Sequence, residues 1–148
     1  MGKKINNIQD EIIEEFSPLN DWFDKYEYLI SLGGSLEPGG DKLKTEENAL
    51  SGCQSQVWIK AELKDGKIHY LSDSDSLITK GMISLLLRVL NNQAPEDIIH
   101  SDLYFIDKIG LNSNLSPSRA NGLMSIVKQI KSSAQMVFNS RNSPVTDY

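Results

Sequence analysis

The sequence predicts an α+β fold, a small antiparallel sheet of about three strands packed with helices, and three observations carry that expectation. An alternating run from Val57 to Leu63 meets a second run, Lys67 to Ser72, through Asp65-Gly66. Asp-Gly between alternating runs is the signal of a two-residue type I′ hairpin. Apolar residues at helical spacing fill the chain on both sides of that hairpin. With 148 residues, 39% hydrophobic and 24% charged, the chain suits one modest core. We expect a single domain over 1–140 and a flexible C-terminal tail over 141–148.

Taken in order, Ile5, Ile8, Ile12 and Phe16 make a first helical stripe that Ser17-Pro18 stops. Trp22, Tyr26, Leu29 and Ile30 make a second, ending at Gly33-Gly34. Residues 35 to 44, with Pro38-Gly39-Gly40, read as a turn-rich connection, and Asn48-Ala49-Leu50 as a short edge strand. In the hairpin, Val57, Ile59, Ala61 and Leu63 alternate with Trp58, Lys60 and Glu62. Trp58 reads as core rather than contact. A two-residue loop pairs Lys64 with Lys67, Ala61 with Tyr70, Glu62 with His69, Trp58 with Asp73 and Gln56 with Asp75. Asp73 or Asp75 then caps a central helix from about Ser76 to Asn91, whose Leu77, Ile78, Met82, Leu85, Leu86 and Val89 leave little polar face. Pro95 opens a short helix, a turn spans Phe105 to Ile109, and Ser116-Pro117 opens a last long helix with Leu123, Ile126, Val127, Ile130, Ala134 and Val137 on one stripe. Asn139 to Tyr148 read as a frayed tail.

Charge and composition narrow the function. The net charge is −5 and no Lys/Arg cluster marks a phosphate-binding face, which argues against nucleic acid. The longest apolar stretch, Met82 to Leu90, is broken by Ser84 and Arg88 and falls short of a bilayer span. Met1 to Asn6 carries no secretory signal, and Asn6 stands where a myristoylation motif needs Ser or Thr. We expect a cytoplasmic protein with no membrane partner.

Cys53 is the sole cysteine and stands in the polar run Gly52-Cys53-Gln54-Ser55-Gln56, just before the first strand. One sulfur excludes an internal disulfide, a CxxC redox pair and a thiolate-rich zinc site. The register brings this run beside the start of the central helix, where free N–H groups favour a thiolate while Asp73 and Asp75 oppose it. A Cys/His dyad is disfavoured, because His69 faces Glu62, on the order of 30 Å along the strand from Cys53 at about 3.3 Å per residue; His100 reads as structural or solvated. Neither histidine lies in a ligand-spaced cluster, so no metal is expected. Arg119, in the first turn of the last helix, is misplaced for the helix dipole and needs a partner, with Asp73 or Asp75 a candidate. Gln54, Ser55 and Gln56 shape the loop or touch a partner.

The run Gly52-Cys53-Gln54-Ser55-Gln56-Val57-Trp58 resembles the active-site loop of the SufE family, the sulfur-acceptor partners of cysteine desulfurases in iron–sulfur cluster assembly. Lys25-Tyr26 with Leu32-Gly33, Asp73-Ser74-Asp75 with Lys80-Gly81, and Leu115-Ser116-Pro117-Ser118-Arg119 with Gly122-Leu123 resemble family positions in the same order. Asn121 and the stretch 34 to 44 depart from the pattern.

The resemblance implies a SufE/IscU-like fold and a covalent sulfur carrier. Its partner would be a PLP-dependent cysteine desulfurase, SufS- or CsdA-like, and sulfur would pass from that enzyme's persulfide to Cys53 and on to an iron–sulfur scaffold or another acceptor. The family works without a cofactor on this chain, PLP belonging to the desulfurase, and a homodimer is compatible with it. One thiol is too few for a cluster scaffold. Gly52, Gln54, Ser55, Gln56, Asp73, Asp75 and Arg119 would shape the loop or meet the partner. The alternative is a binding module that activates a desulfurase by docking alone, with Cys53 incidental.

Overall fold

The structure, a computed structural model, describes residues 4–36, 40–50 and 55–142, with side chains to residue 140. Its elements run α1 (Ile5–Phe16), α2 (Trp22–Gly33), α3 (Gly40–Leu43), β1 (Val57–Lys64), β2 (Lys67–Ser74), α4 (Leu77–Leu90), α5 (Pro95–Ile99), α6 (Phe105–Lys108), α7 (Leu111–Asn114) and α8 (Pro117–Asn142).

Asp65 and Gly66 both take positive φ, 53° and 79°, as a type I′ turn requires. That turn sets the whole register: Lys64 pairs with Lys67, Ala61 with Tyr70, Glu62 with His69 and Trp58 with Asp73. Among the described residues the sheet has two full strands rather than three. A single bridge from Ala49 to Trp58 stands where a third strand was expected, and Ile68 bridges Gln93 on the other edge.

One face of the hairpin enters the core. Val57, Ile59, Ile68 and Tyr70 are buried there with Ser72 and Ser74, whose hydroxyls donate to the Trp58 and Gln56 carbonyls, both at 2.7 Å. Helices α4 and α8 pack against this hairpin, α1 and α2 against α4, and α5 against α8. Trp58 lies on the opposite face. It is only half-buried and takes no part in the main core, which corrects its assignment as a core residue.

The central helix is buried through Ile78, Met82, Ile83, Leu85, Leu86, Val89 and Leu90. Leu77 departs from expectation: on the first turn it points outward and is 64% exposed. The cap is also not an aspartate. Ser76 is the N-cap, its Oγ accepting from the Thr79 N–H, because Asp73 and Asp75 are engaged elsewhere. At the far end of the chain α8 runs through Asn139 to Asn142, past the point assigned to fraying, and a Gln135 to Asn139 side-chain hydrogen bond lies on its last turns. Residues 143–148 of the expected tail lie outside the described residues.

A buried amide stands among the apolar residues of α1. Gln9 is fully buried on the apolar stripe of α1; its amide oxygen accepts from the Phe105 N–H and its nitrogen donates to the Asp102 carbonyl and to Asn6 Oδ1. A buried amide with every group engaged ties α1 to the start of α6.

Three phenols are held in their neutral form. The Tyr70 hydroxyl donates to the Ile130 carbonyl at 2.8 Å inside the core, and burial pushes its pKa up. Tyr28 is pushed up to about 12 by burial and by its hydrogen bond to the Glu15 carboxylate, and Tyr104 to about 12 by its hydrogen bond to Asp10. A folded-state pKa raised above the ordinary 10.0 means that the stabilisation is complete below pH 10 and is lost as pH climbs through the raised values. Absorbance titration at 295 nm should therefore show a late alkaline phase that merges with unfolding. Uniform titration of every tyrosine near its ordinary value in the folded protein would contradict these contacts.

Candidate functional site

Cys53, Gly52 and Gln54 lie outside the described residues, but both flanks of the segment are well fixed. On the N-terminal side Leu43 is 2% exposed and anchors the chain. Asn48 donates from its side chain to the Leu43 carbonyl, and its own carbonyl accepts from the Ile59 N–H at 2.9 Å. The Leu50 N–H then donates to the Val57 carbonyl at 2.8 Å. Leu50 and Val57, on either side of the cysteine segment, thereby meet at the start of β1.

On the C-terminal side, Gln56 is held by three hydrogen bonds. Its N–H donates to Asp75 Oδ1 at 3.0 Å, and its carbonyl accepts from the Asp75 N–H at 3.3 Å and from Ser74 Oγ at 2.7 Å. The Ser76 N–H donates in turn to Ser74 Oγ at 3.2 Å, joining this arm to the N-cap of α4. The expected pairing of Gln56 with Asp75 therefore extends the hairpin register past the last full strand pair. Ser55, the remaining described member of the run, is half-buried.

Asp73 has a separate role. It is 8% exposed and stands opposite Trp58 on the outer face of the hairpin. Lys44 Nζ lies 3.6 Å from one carboxylate oxygen and Lys80 Nζ 3.6 Å from the other, while the Ser74 N–H donates to Asp73 Oδ1 at 2.8 Å. Lys44 also sits 5.4 Å from the centroid of the Trp58 ring, a cation–π contact.

Arg119 does not join these carboxylates as a partner. Its guanidinium donates to the Tyr26 hydroxyl and stacks 5.8 Å from the centre of that ring, and its backbone N–H donates to Ser116 Oγ. A planar cation stacking on an aromatic face gives the residue a partner on α2 instead. The histidines also stand apart from these flanks. His69 faces Glu62, and His100 Nδ1 lies 2.8 Å from the Glu96 carbonyl at the end of α5. No helix among the described residues is long and apolar enough to cross a membrane.

The structure thus brings Gln56, Asp73 and Asp75 together at the base of the cysteine segment. Lys44, Ser74 and Lys80 complete the group. Ser74 and Lys80 stand inside motifs visible in the sequence, but Lys44 lies in a segment with no periodicity to reveal which way it turns.

The family model of the SufE Fe–S metabolism associated domain matches residues 10–134. This chain belongs to the SufE family. An uncharacterised SufE-like protein of Synechocystis sp. is 40% identical over 124 residues, covering 84% of this chain and 78% of its own length. Another from Rhizobium meliloti is 36% identical over 131 residues, covering 85% of this chain and 94% of its own. Among solved structures, a hypothetical protein from Thermus thermophilus superposes with a TM-score of 0.73 at 18% identity over 89% of this chain and 96% of that one, a likeness of fold. Membership of the SufE family links the chain to iron–sulfur metabolism and to a cysteine desulfurase. All the clustered residues fall within the matched span.

Proposed function

We propose that this protein is a cytoplasmic sulfur carrier that accepts sulfur on Cys53 from a PLP-dependent cysteine desulfurase, stimulates that enzyme and delivers the sulfur for cluster assembly. Family membership is the observation that carries the reading; the hydrogen bonds that hold both flanks of the cysteine run, Leu50 to Val57 and Gln56 to Asp75, support it. The thiolate of Cys53 attacks the outer sulfur of the enzyme's cysteine persulfide. One S–S bond forms as another breaks, the enzyme's cysteine leaves as a thiolate, and no external oxidant or reductant enters. No general base is required once the thiol is ionised, and PLP chemistry stays on the partner. A chain with no second thiol cannot resolve its own persulfide into an internal disulfide, so the sulfur waits for an external acceptor such as a scaffold protein.

Intact mass spectrometry tests this. After incubation with a desulfurase and L-cysteine, followed by desalting, the chain should gain about 32 Da per sulfur, and a thiol reductant should remove it. A chain that stimulates sulfide release with no mass gain would instead be a non-covalent activator.

A further inference from the structure

The hairpin register decides which backbone groups turn inward and which turn out. Lys64 and Lys67 close the two-residue turn as a hydrogen-bonded pair, so every second residue from Ile68 to Ser74 directs its N–H and C=O away from β1. Most of this outer edge of β2 is covered. The Ile68 N–H donates to the Gln93 carbonyl, and the Ile68 carbonyl accepts from the Asn92 N–H. The Tyr70 N–H donates to Asn91 Oδ1 at 2.7 Å, and the Ser74 N–H to Asp73 Oδ1 at 2.8 Å. Between them stand the Tyr70 carbonyl, the Ser72 N–H and the Ser72 carbonyl, for which the described residues supply no partner. These groups border a recess of about 360 Å³, walled by Ser35 and Leu36 just past α2 and by Ser84, Leu87 and Arg88 of α4. The Ser35 and Ser84 hydroxyls lie 3.3 Å apart on that wall, and Arg88 is already paired with Glu15.

We propose that this recess is a strand-addition site, in which an extended segment of a partner protein pairs antiparallel with Tyr70 to Ser72 and sets a small polar side chain against the Ser35 and Ser84 hydroxyls. Acceptor, donor and acceptor in a row along a strand edge are complementary to the backbone of a further extended chain. A residue opposite Ser72 exchanges two hydrogen bonds with it, and the residue two places on donates to the Tyr70 carbonyl. The first of these residues carries its side chain on the same face as Ser72, the face that α4 covers, and so meets the hydroxyl wall. A large apolar side chain there would leave those hydroxyls unpaired. A second copy of this chain does not fit, because two edges each recessed between helices cannot reach one another. The site lies on the opposite edge of the sheet from Asn48 to Leu50, the arm that leads into the cysteine run.

The test is an amide correlation spectrum of the full chain titrated with the capped tripeptide acetyl-Ser-Thr-Ser-amide. Saturable shifts should appear at Tyr70, Leu71, Ser72 and Ser84, with half-saturation in the millimolar range expected of so short a segment. Deuterium exchange at the Ser72 amide should be fast in the free protein, where Ile68 and Tyr70 are protected, and should slow as the tripeptide binds. The same peptide methylated on its first amide nitrogen loses the hydrogen bond to the Ser72 carbonyl and should bind roughly fivefold more weakly. Ser84→Leu fills the recess and should abolish the shifts, its own spectrum reporting whether the hairpin is intact. Equal binding of the methylated peptide, unchanged binding by Ser84→Leu, or the absence of saturable shifts in the parent overturns the proposal. A Ser72 amide as protected as Ile68 in the free protein overturns it as well, since the edge would then be closed already.

Discussion

Cys53→Ser should reduce the stimulation of sulfide release to the rate of the desulfurase alone and abolish the mass gain, while leaving thermal stability within about 0.5 kcal/mol of the parent, as expected for a near-isosteric change in a polar run of the sequence. The oxygen of serine matches the thiol in shape but neither ionises near neutral pH nor bonds a sulfane sulfur. Binding to the desulfurase should survive, because the described residues that fix the loop's two ends keep their contacts. Loss of stimulation with retained binding is the signature of a covalent carrier. Full stimulation by the serine variant would assign the effect to docking, and loss of binding would make Cys53 a contact residue.

The hairpin was legible in the sequence because its information is local. Asp65-Gly66 accepts positive φ at two successive positions, and once the turn is fixed, period-two alternation leaves no freedom in pairing as far as Gln56 and Asp75. The long helices were legible through their stripes. What the sequence hid depends on tertiary neighbours. Asp73 and Asp75 are as good an N-cap as Ser76 by propensity, and only Lys44, Lys80 and Gln56 draw the carboxylates away. Arg119 was expected to seek a carboxylate, but the Tyr26 ring of α2 is the surface it meets. Gln9 interrupts an apolar stripe with a polar group whose oxygen the Phe105 N–H satisfies, a partner far away in sequence. The short helices α3 and α7, four residues each, lie below the length at which periodicity carries any signal. For the candidate site the residue types and their order were readable in the cysteine run, and the lysine compensation of Asp73 was not, since Lys44 reaches it from a segment far away in sequence.

Gly81→Ala should destabilise the fold by about 3 kcal/mol or more, the upper range for overpacking a tight contact, although alanine improves helix propensity by about 1 kcal/mol at an interior position. The reason is backbone against backbone. A Cβ at Gly81 would lie 2.1 Å from the Leu29 carbonyl oxygen and 2.7 Å from its carbon, and neither atom can rotate away as a side chain could. Opposite it on α2, Gly33 has Lys80 Cβ and the Gly81 nitrogen within 3.0 Å of where its own Cβ would stand. Two helices therefore cross with no side chain between them, and any added methyl must push α2 off α4. Lys80 is the residue beside that crossing, so the displacement should also loosen its contact with Asp73 and carry over to the cysteine segment. Urea unfolding should show a lowered midpoint at an unchanged slope. Gly34→Ala serves as the comparison: Gly34 has helical φ of −66° and a Cβ there meets only the Ser31 carbonyl at 3.4 Å, so its midpoint should stay near the parent's. If Gly81→Ala were as stable as Gly34→Ala, α2 and α4 could not approach as closely as these contacts require, and the route from the helix crossing to Asp73 would fall with them.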